Sequence, residues 1–203
     1  MDRRVARTKR NIYEAFFTLV QKKAINEITV TELAKAADID RKTFYTHYQT
    51  VQDVFDEFKQ NVYNECMRIL KECEERGLAN QAKLDAGETL ERAEDLAPFD
   101  FVHFYDELNQ VMVDNLSFFE KLSKDTESMF LKNDFKNILK QALIDYSKDQ
   151  LPWSDYKMSV YAEFIAAGTI YMWTDWLHHR QVPLEEFRDT AIEVLREAWD
   201  MGV

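Results

Sequence analysis

Arg41, Lys42, Thr43, Tyr45, Thr46 and His47 bring a guanidinium fork, an ammonium, hydroxyls and an imidazole into about two helical turns. Such a set hydrogen-bonds phosphate oxygens and the base edges of a DNA major groove. A second constellation is Asp175, three residues before His178 and four before His179. On a helix it would put a carboxylate and an imidazole on one face, for acid-base work or part of a metal site. No third partner is visible, and there is no P-loop, Gly-rich dinucleotide turn or nucleophile elbow. The chain therefore reads as a non-enzyme, with no metal or cofactor called for.

The elements that must hold the first set lie around it, in Ile28 to Tyr48. Thr29-Val-Thr-Glu32 is a capping box, so a helix begins at Val30, with Leu33, Ala34 and Ala37 as its apolar stripe. The small side chains at Ala34 and Ala37 let another helix cross closely. The turn falls at Asp38-Ile-Asp40, where Asp38 must take the left-handed backbone usually given to Gly. Asp40 then N-caps a helix expected over Arg41 to Tyr48, anchored by Ile39, Phe44 and Tyr48. Two short helices joined by a three-residue turn make a helix-turn-helix.

From about Arg7 to Val54 the chain closely resembles the DNA-binding domain of the TetR family of bacterial transcriptional regulators. The resemblance is carried by Arg7-Thr8, the helix Ile12 to Val20, Ile28-Thr29-Val30, Glu32-Leu33-Ala34, Thr43-Phe44-Tyr45 and His47-Tyr48. It implies that Arg41, Lys42, Thr43, Tyr45, Thr46 and His47 lie in or beside the groove of double-stranded DNA, with Thr29 and Thr31 near phosphates. Two positions depart from the family pattern. Asp38 stands where Gly is usual, and Val51 where Lys is common. The second departure removes a phosphate contact and leaves the Thr50 hydroxyl and nearby backbone amides to substitute.

Charge is divided unevenly. Residues 1–50 hold ten Lys or Arg against six Asp or Glu, a net of +4, so the remainder must carry −15 of the total −11. A basic head is thus followed by an acidic body, which repels phosphates and orients the head towards DNA. Arg3, Arg4, Arg7, Lys9 and Arg10 form a basic arm that either tracks the DNA backbone or enters a minor groove.

With only four Gly and three Pro, the chain is expected to be all-α. Residues 1–50 form the helix-turn-helix domain and 51–203 a helical regulatory and dimerisation domain. No apolar run of membrane-spanning length and no signal-peptide core is present, so the expected location is the cytoplasm, with no membrane partner. A fourth helix is expected from Val51 to Arg76, ended by Gly77, with a connector at 78–97 holding a short helix near Glu88 to Asp95. Cys66 and Cys73 share a helix face too far apart to pair with each other, leaving buried thiols or a pairing between subunits.

By the resemblance, the body is a helical bundle with a pocket for an apolar or aromatic effector, for which Phe104, Met112, Phe130 and Tyr161 are candidates. Ordinary core packing explains the same residues. The last two helices resemble the family's dimerisation pair, giving Phe164, Gly168, Tyr171, Met172, Ala191 and Leu195 as interface candidates. Two linked heads read a palindrome where one short helix reads few bases. The expectation is a ligand-responsive homodimeric repressor. The alternative keeps the DNA head and places control with a protein partner.

Overall fold

The structure is a computed structural model, and it describes residues 3–88, 100–114, 128–148 and 152–200. Every regular element among them is helical. The chain divides into two compact units, residues 1–62 and 63–203.

The first unit begins with α1 (Arg3–Val20) and a 3-10 turn at Ile25–Glu27, followed by α2 (Val30–Ala36) and α3 (Arg41–Tyr45). It also takes in the first turns of α4 (Val51–Asp85), so twelve residues of that helix pack with the head. Its core draws on Ile12 and Phe16 of α1, Leu33 and Ala34 of α2, Phe44 of α3, and Val54 and Phe55 of α4, all nearly inaccessible. Phe17 meets Phe58 edge-on at 4.7 Å, and Phe16 lies 6.1 Å from Phe55. The ammonium of Lys9 donates to both carboxylate oxygens of Glu57, at 2.7 and 2.9 Å. Burial would raise the Glu57 carboxyl, but Lys9 and the Tyr48 hydroxyl hold it below the usual range.

α1 is helical from Arg3, so the basic arm is the first turns of a helix rather than an extended leader. A helix about 10 Å across does not itself fit a minor groove about 6 Å wide, so a minor-groove contact would fall to its Arg side chains alone. Lys9 is already committed to Glu57 and to the Tyr48 ring, 5.3 Å from its centroid.

In the second unit α4 continues to Asp85 and is joined by α5 (Phe101–Asp114), α6 (Ser128–Ser147), α7 (Asp155–His179) and α8 (Leu184–Asp200). The expected stop at Gly77 does not occur. Leu78-Ala-Asn-Gln-Ala-Lys-Leu84 is rich in good helix formers, which outweigh the cost of one buried glycine, about 1 kcal/mol. The helix ends at Gly87, where φ is +81°, and the amides of Gly87 and Glu88 return to the carbonyls of Leu84 and Lys83. The short helix expected at Glu88 to Asp95 falls almost wholly outside the described residues, as do Phe118, Phe119 and Leu122.

Ion pairs connect these helices. Arg68 of α4 reaches Glu107 of α5 at 2.6 Å, Arg188 of α8 pairs with Asp106 of α5, and Glu163 of α7 takes Lys136 and Lys140 of α6. The Tyr63 hydroxyl of α4 donates to Asp145 of α6 at 2.8 Å. Cys66 and Cys73 are 6% and 0% exposed, and burial pushes each thiol up to about 12. That is the inert-thiol alternative, because an intersubunit disulfide needs an accessible sulfur.

Candidate nucleic-acid interface

The helix-turn-helix is built by short-range hydrogen bonds. The Thr29 hydroxyl accepts the Glu32 amide at 3.2 Å and so starts α2. The Glu32 carboxylate is drawn to Lys23 at 2.6 Å, and that contact most strongly lowers its carboxyl. α2 stops at Asp38, whose φ is +55°. The amides of Asp38 and Ile39 return to the carbonyls of Lys35 and Ala34, at 3.2 and 3.0 Å, the same closure Gly87 makes. The left-handed backbone foreseen for Asp38 is therefore present without a glycine.

Asp40 caps α3 by accepting the Thr43 amide at 2.7 Å and the Thr43 hydroxyl at 3.1 Å. The Thr43 amide is also the main reason the Asp40 carboxyl lies below its ordinary value. α3 is shorter than the sequence suggests, ending at Tyr45 rather than Tyr48. Thr46, His47 and Tyr48 follow in a turn still tied to Lys42, Thr43 and Phe44 by their amides. Phe44 and Tyr48 are buried with ring centroids 5.7 Å apart, which fixes the outward direction of their neighbours.

Among those neighbours Arg41, Lys42, Tyr45 and Thr46 are exposed, and Thr43 and His47 are half-buried. The Tyr45 ring is held by Arg41, whose Nη2 donates to the phenol oxygen at 3.4 Å and whose guanidinium lies 5.9 Å from the ring centre. The hydroxyls of Thr43 and Thr46 are turned onto Asp40 and the Thr43 carbonyl. Thr29 and Thr31 are both exposed at the start of α2. Lys42, Arg41, Tyr45 and His47 thus present the outward polar groups, and the two threonines also serve the local fold.

Thr50 sits in a different environment from the one expected. Its hydroxyl donates to Asp53 at 2.9 Å and accepts the Asp53 amide at 3.2 Å, while the same carboxylate takes the amides of Gln49 and Thr50. The amides that would meet a phosphate are held by an ionised aspartate, whose carboxyl they lower. A phosphate at this helix end would face that charge.

The body residues separate. Phe104 is buried beside Tyr105, Tyr161 packs on Trp153 at 5.1 Å, and Met112 is half-buried, while the side chain of Phe130 lies outside the described ones. Phe164 and Tyr171 are 61% and 56% exposed. With Tyr156, Val160 and Gly168 they occupy one arc of α7, about 120° wide at 100° per residue. Met172 is half-buried beside this arc, and Leu195 lies outside the described side chains. Ala191, by contrast, is 2% exposed and belongs to its own chain's interior, so among the described side chains Val194, 49% exposed, is an outward apolar residue of α8. Tyr156 and Val160 were not among the expected interface residues, although the i, i+4, i+8 spacing from Tyr156 to Phe164 is visible in the sequence.

An open cleft of about 430 Å³, lined by residues including Trp176, Gln181, Val182 and Phe187, was also not foreseen. Trp176 donates to the Val182 carbonyl at 3.0 Å and lies against Phe187, which shapes one wall. Asp175 and His179 meet at 3.1 Å on this rim, but both are mostly exposed and solvated. No group of three His, Cys, Asp or Glu suited to a metal occurs among the described residues. No described helix is long and apolar enough to cross a membrane.

No model of a known protein family matches the sequence, and no curated protein does. Solved structures do. The structure of "dihydroxyacetone kinase operon activator DhaS" superposes with a TM-score of 0.54 at 20% identity, over 96% of this chain and 97% of that one. A TetR transcriptional regulator from Streptococcus agalactiae 2603V gives a TM-score of 0.50 at 20% identity, over 95% and 96%. The chain has the TetR fold. Thermus thermophilus FadR, a TetR-family repressor solved with lauroyl-CoA, also aligns, with a TM-score of 0.42 at 17% identity over 93% of each chain. Within the TetR fold, Arg41 to His47 occupy the second helix of the helix-turn-helix and the turn after it.

Proposed function

We propose that this chain is a DNA-binding transcriptional regulator that acts as a homodimer on a palindromic operator and represses by occluding a promoter until a small molecule binds its body. The observation that carries the reading is the capped helix Arg41–Tyr45, with Phe44 and Tyr48 buried and Arg41, Lys42, Tyr45 and His47 turned outward. Arg41 and Lys42 bind phosphates or guanine edges, Tyr45 and His47 contact bases, and Thr29 and Thr31 reach phosphates of the flanking strand. Thr43 and Thr46 contribute hydroxyl oxygens that can still accept.

The apolar arc of α7 supports the dimer, because Phe164 and Tyr171 expose broad apolar surface that a monomer gains nothing by showing. A second copy supplies the second head that palindrome reading needs. Effector control then works as a shift between dimers that fit the operator and dimers that do not, the ligand binding the latter more tightly. Phe104, Met112, Phe130 and Tyr161 remain the apolar side of that effector site. Such a regulator works in the cytoplasm, where the DNA is. Two proteins of the same fold, an operon activator and a transcriptional regulator, belong to this class of function.

The test is Tyr45→Ala with His47→Ala. Operator affinity measured by fluorescence anisotropy should fall by about tenfold or more per lost base contact, with the sedimentation of the dimer unchanged. Unchanged affinity would move the DNA contacts off α3.

A further inference from the structure

The open cleft at the turn between α7 and α8 is used by neither the DNA-binding reading nor the effector candidates, none of which lines it. Its volume of about 430 Å³ lies in the range of small-molecule clefts, roughly 300–1,000 Å³. The chain itself holds the walls in place. Arg180 takes a left-handed backbone, φ +41°, and its amide returns to the Trp176 carbonyl at 2.8 Å, which ends α7. The turn brings the Val182 carbonyl back to accept the Trp176 indole N–H at 3.0 Å. The Trp176 ring is fixed further by Trp173, edge-on at 5.6 Å, and by Phe187, stacked at 5.6 Å. Met172, Trp176, Val182 and Phe187 are half-buried and turn apolar surface to the cleft. Tyr171 lines it too and belongs to the exposed arc of α7, so the cleft borders the dimer face while drawing every wall from one chain.

The charge on this lining selects the occupant. Asp175 supplies a carboxylate, and no Lys or Arg is among the described lining residues. Its partner His179, at 3.1 Å, is charged only when protonated. Gln181 adds an exposed amide, a hydrogen-bonding group without charge. The aromatic rings present faces of negative potential, which attract cations. Arg180 shows that attraction within the chain, its guanidinium lying 5.4 Å from the centre of the Trp176 ring. Residues 51–203 carry a net −15, so an anion would enter against the field of the whole body. We infer that this cleft binds an organic cation with an aromatic or apolar body, the body against Met172, Trp176 and Phe187 and the ammonium beside Asp175. Arg180 is the chain's own competitor for the Trp176 ring. A regulatory use of the cleft rests on the regulator reading; the site itself does not.

The test uses three probes of matched shape, 2-phenylethylammonium, 3-phenylpropionate and 2-phenylethanol, on the full chain. Binding is followed through the nitrogen-15 indole resonance of Trp176, assigned with Trp176→Phe. The ammonium should shift that resonance saturably, the alcohol more weakly and the carboxylate not at all. Asp175→Asn should weaken the ammonium by about two- to fivefold, the scale of an exposed ion pair. Arg180→Gly should strengthen it by about two- to fivefold, since it removes a competing cation from the ring. Glycine also suits the left-handed backbone, so this variant should unfold no earlier than the parent. A merely structural part for these two exposed residues would not move the affinity in opposite directions.

No saturable shift with the ammonium, an equal affinity for the alcohol or the carboxylate, or an affinity unmoved by Asp175→Asn would overturn the inference, as would weaker ammonium binding by Arg180→Gly. Binding that appears in Phe164→Asp but not in the parent would assign the cleft to a second copy of the chain and also overturn it. Asp175-dependent binding by a protein that retains no duplex DNA at low salt would uphold the site while sinking the regulator reading.

Discussion

Gly168→Ala separates two explanations for a glycine in the middle of α7. Apart from the backbone of its own helix, a Cβ built there meets no atom of the described residues within 4 Å, so the added methyl enters open space among them. Alanine is favoured over glycine in a helix interior by about 1 kcal/mol. For a protein of this size that gain corresponds to a rise of roughly 2–4 °C in Tm. At a crossing of two α7 helices in a dimer, the same methyl has no room. Overpacking costs about 1–3 kcal/mol, which is a dissociation constant raised by roughly 5- to 150-fold. One substitution should therefore stabilise the monomer and weaken the dimer.

Sedimentation equilibrium gives the dissociation constant, and thermal unfolding at concentrations below it isolates the monomer, because dimerisation itself raises Tm with concentration. Phe164→Asp is the companion variant. Its side chain is 61% exposed, about 120 Å² of a phenylalanine's roughly 200 Å². If that area is covered in the dimer, its loss removes up to about 3 kcal/mol per subunit. A monomer at all accessible concentrations is expected. A rise in Tm with an unchanged or tighter dimer would take Gly168 out of the interface, and a fall in the monomer's Tm would refute the open space around it.

Asp38→Gly should stabilise the protein by about 0.5–1 kcal/mol in denaturant unfolding, since it relieves a left-handed residue at some cost in chain entropy, while Asp38→Ala should destabilise it. Loss of stability in the glycine variant would show that the Asp38 side chain stabilises the turn itself. Cys66 and Cys73 should resist iodoacetamide at pH 8 in the native protein and react fully in urea. Their folded thiols titrate near about 12 against an ordinary 9.0. The stability from keeping them neutral is complete below pH 9 and is lost as pH rises towards 12, because only the unfolded state ionises in that window. Alkylation of the native protein at pH 8 would contradict the burial.

What the sequence disclosed was local. The caps at Thr29 and Asp40 and the left-handed Asp38 depend on residues within five positions of one another, so side-chain type alone locates them. Gly77 and Gly87 show the limit of that. Both could end α4, and the outcome depends on whether the following residues favour helix, as Leu78 to Leu84 do. The basic arm was readable as charge but not as helix, because its conformation is continuous with a stripe anchored on Ile12 and Phe16. Thr50 looked free for phosphate because nothing in its type reveals that Asp53 turns back onto it. Ala191 and Val194 are three apart on α8, yet only packing tells which faces inward.

Selection of bound sequences from random double-stranded DNA, carried out with the full chain at low salt, asks whether α3 reads DNA and whether two copies do so together. A dimer reading through α3 should enrich a palindrome with half-sites about one helical turn apart, lost with Tyr45→Ala and His47→Ala and reduced to a single half-site with Phe164→Asp. Recovery of no enriched sequence, or of one that survives the Tyr45 and His47 substitutions unchanged, would contradict it.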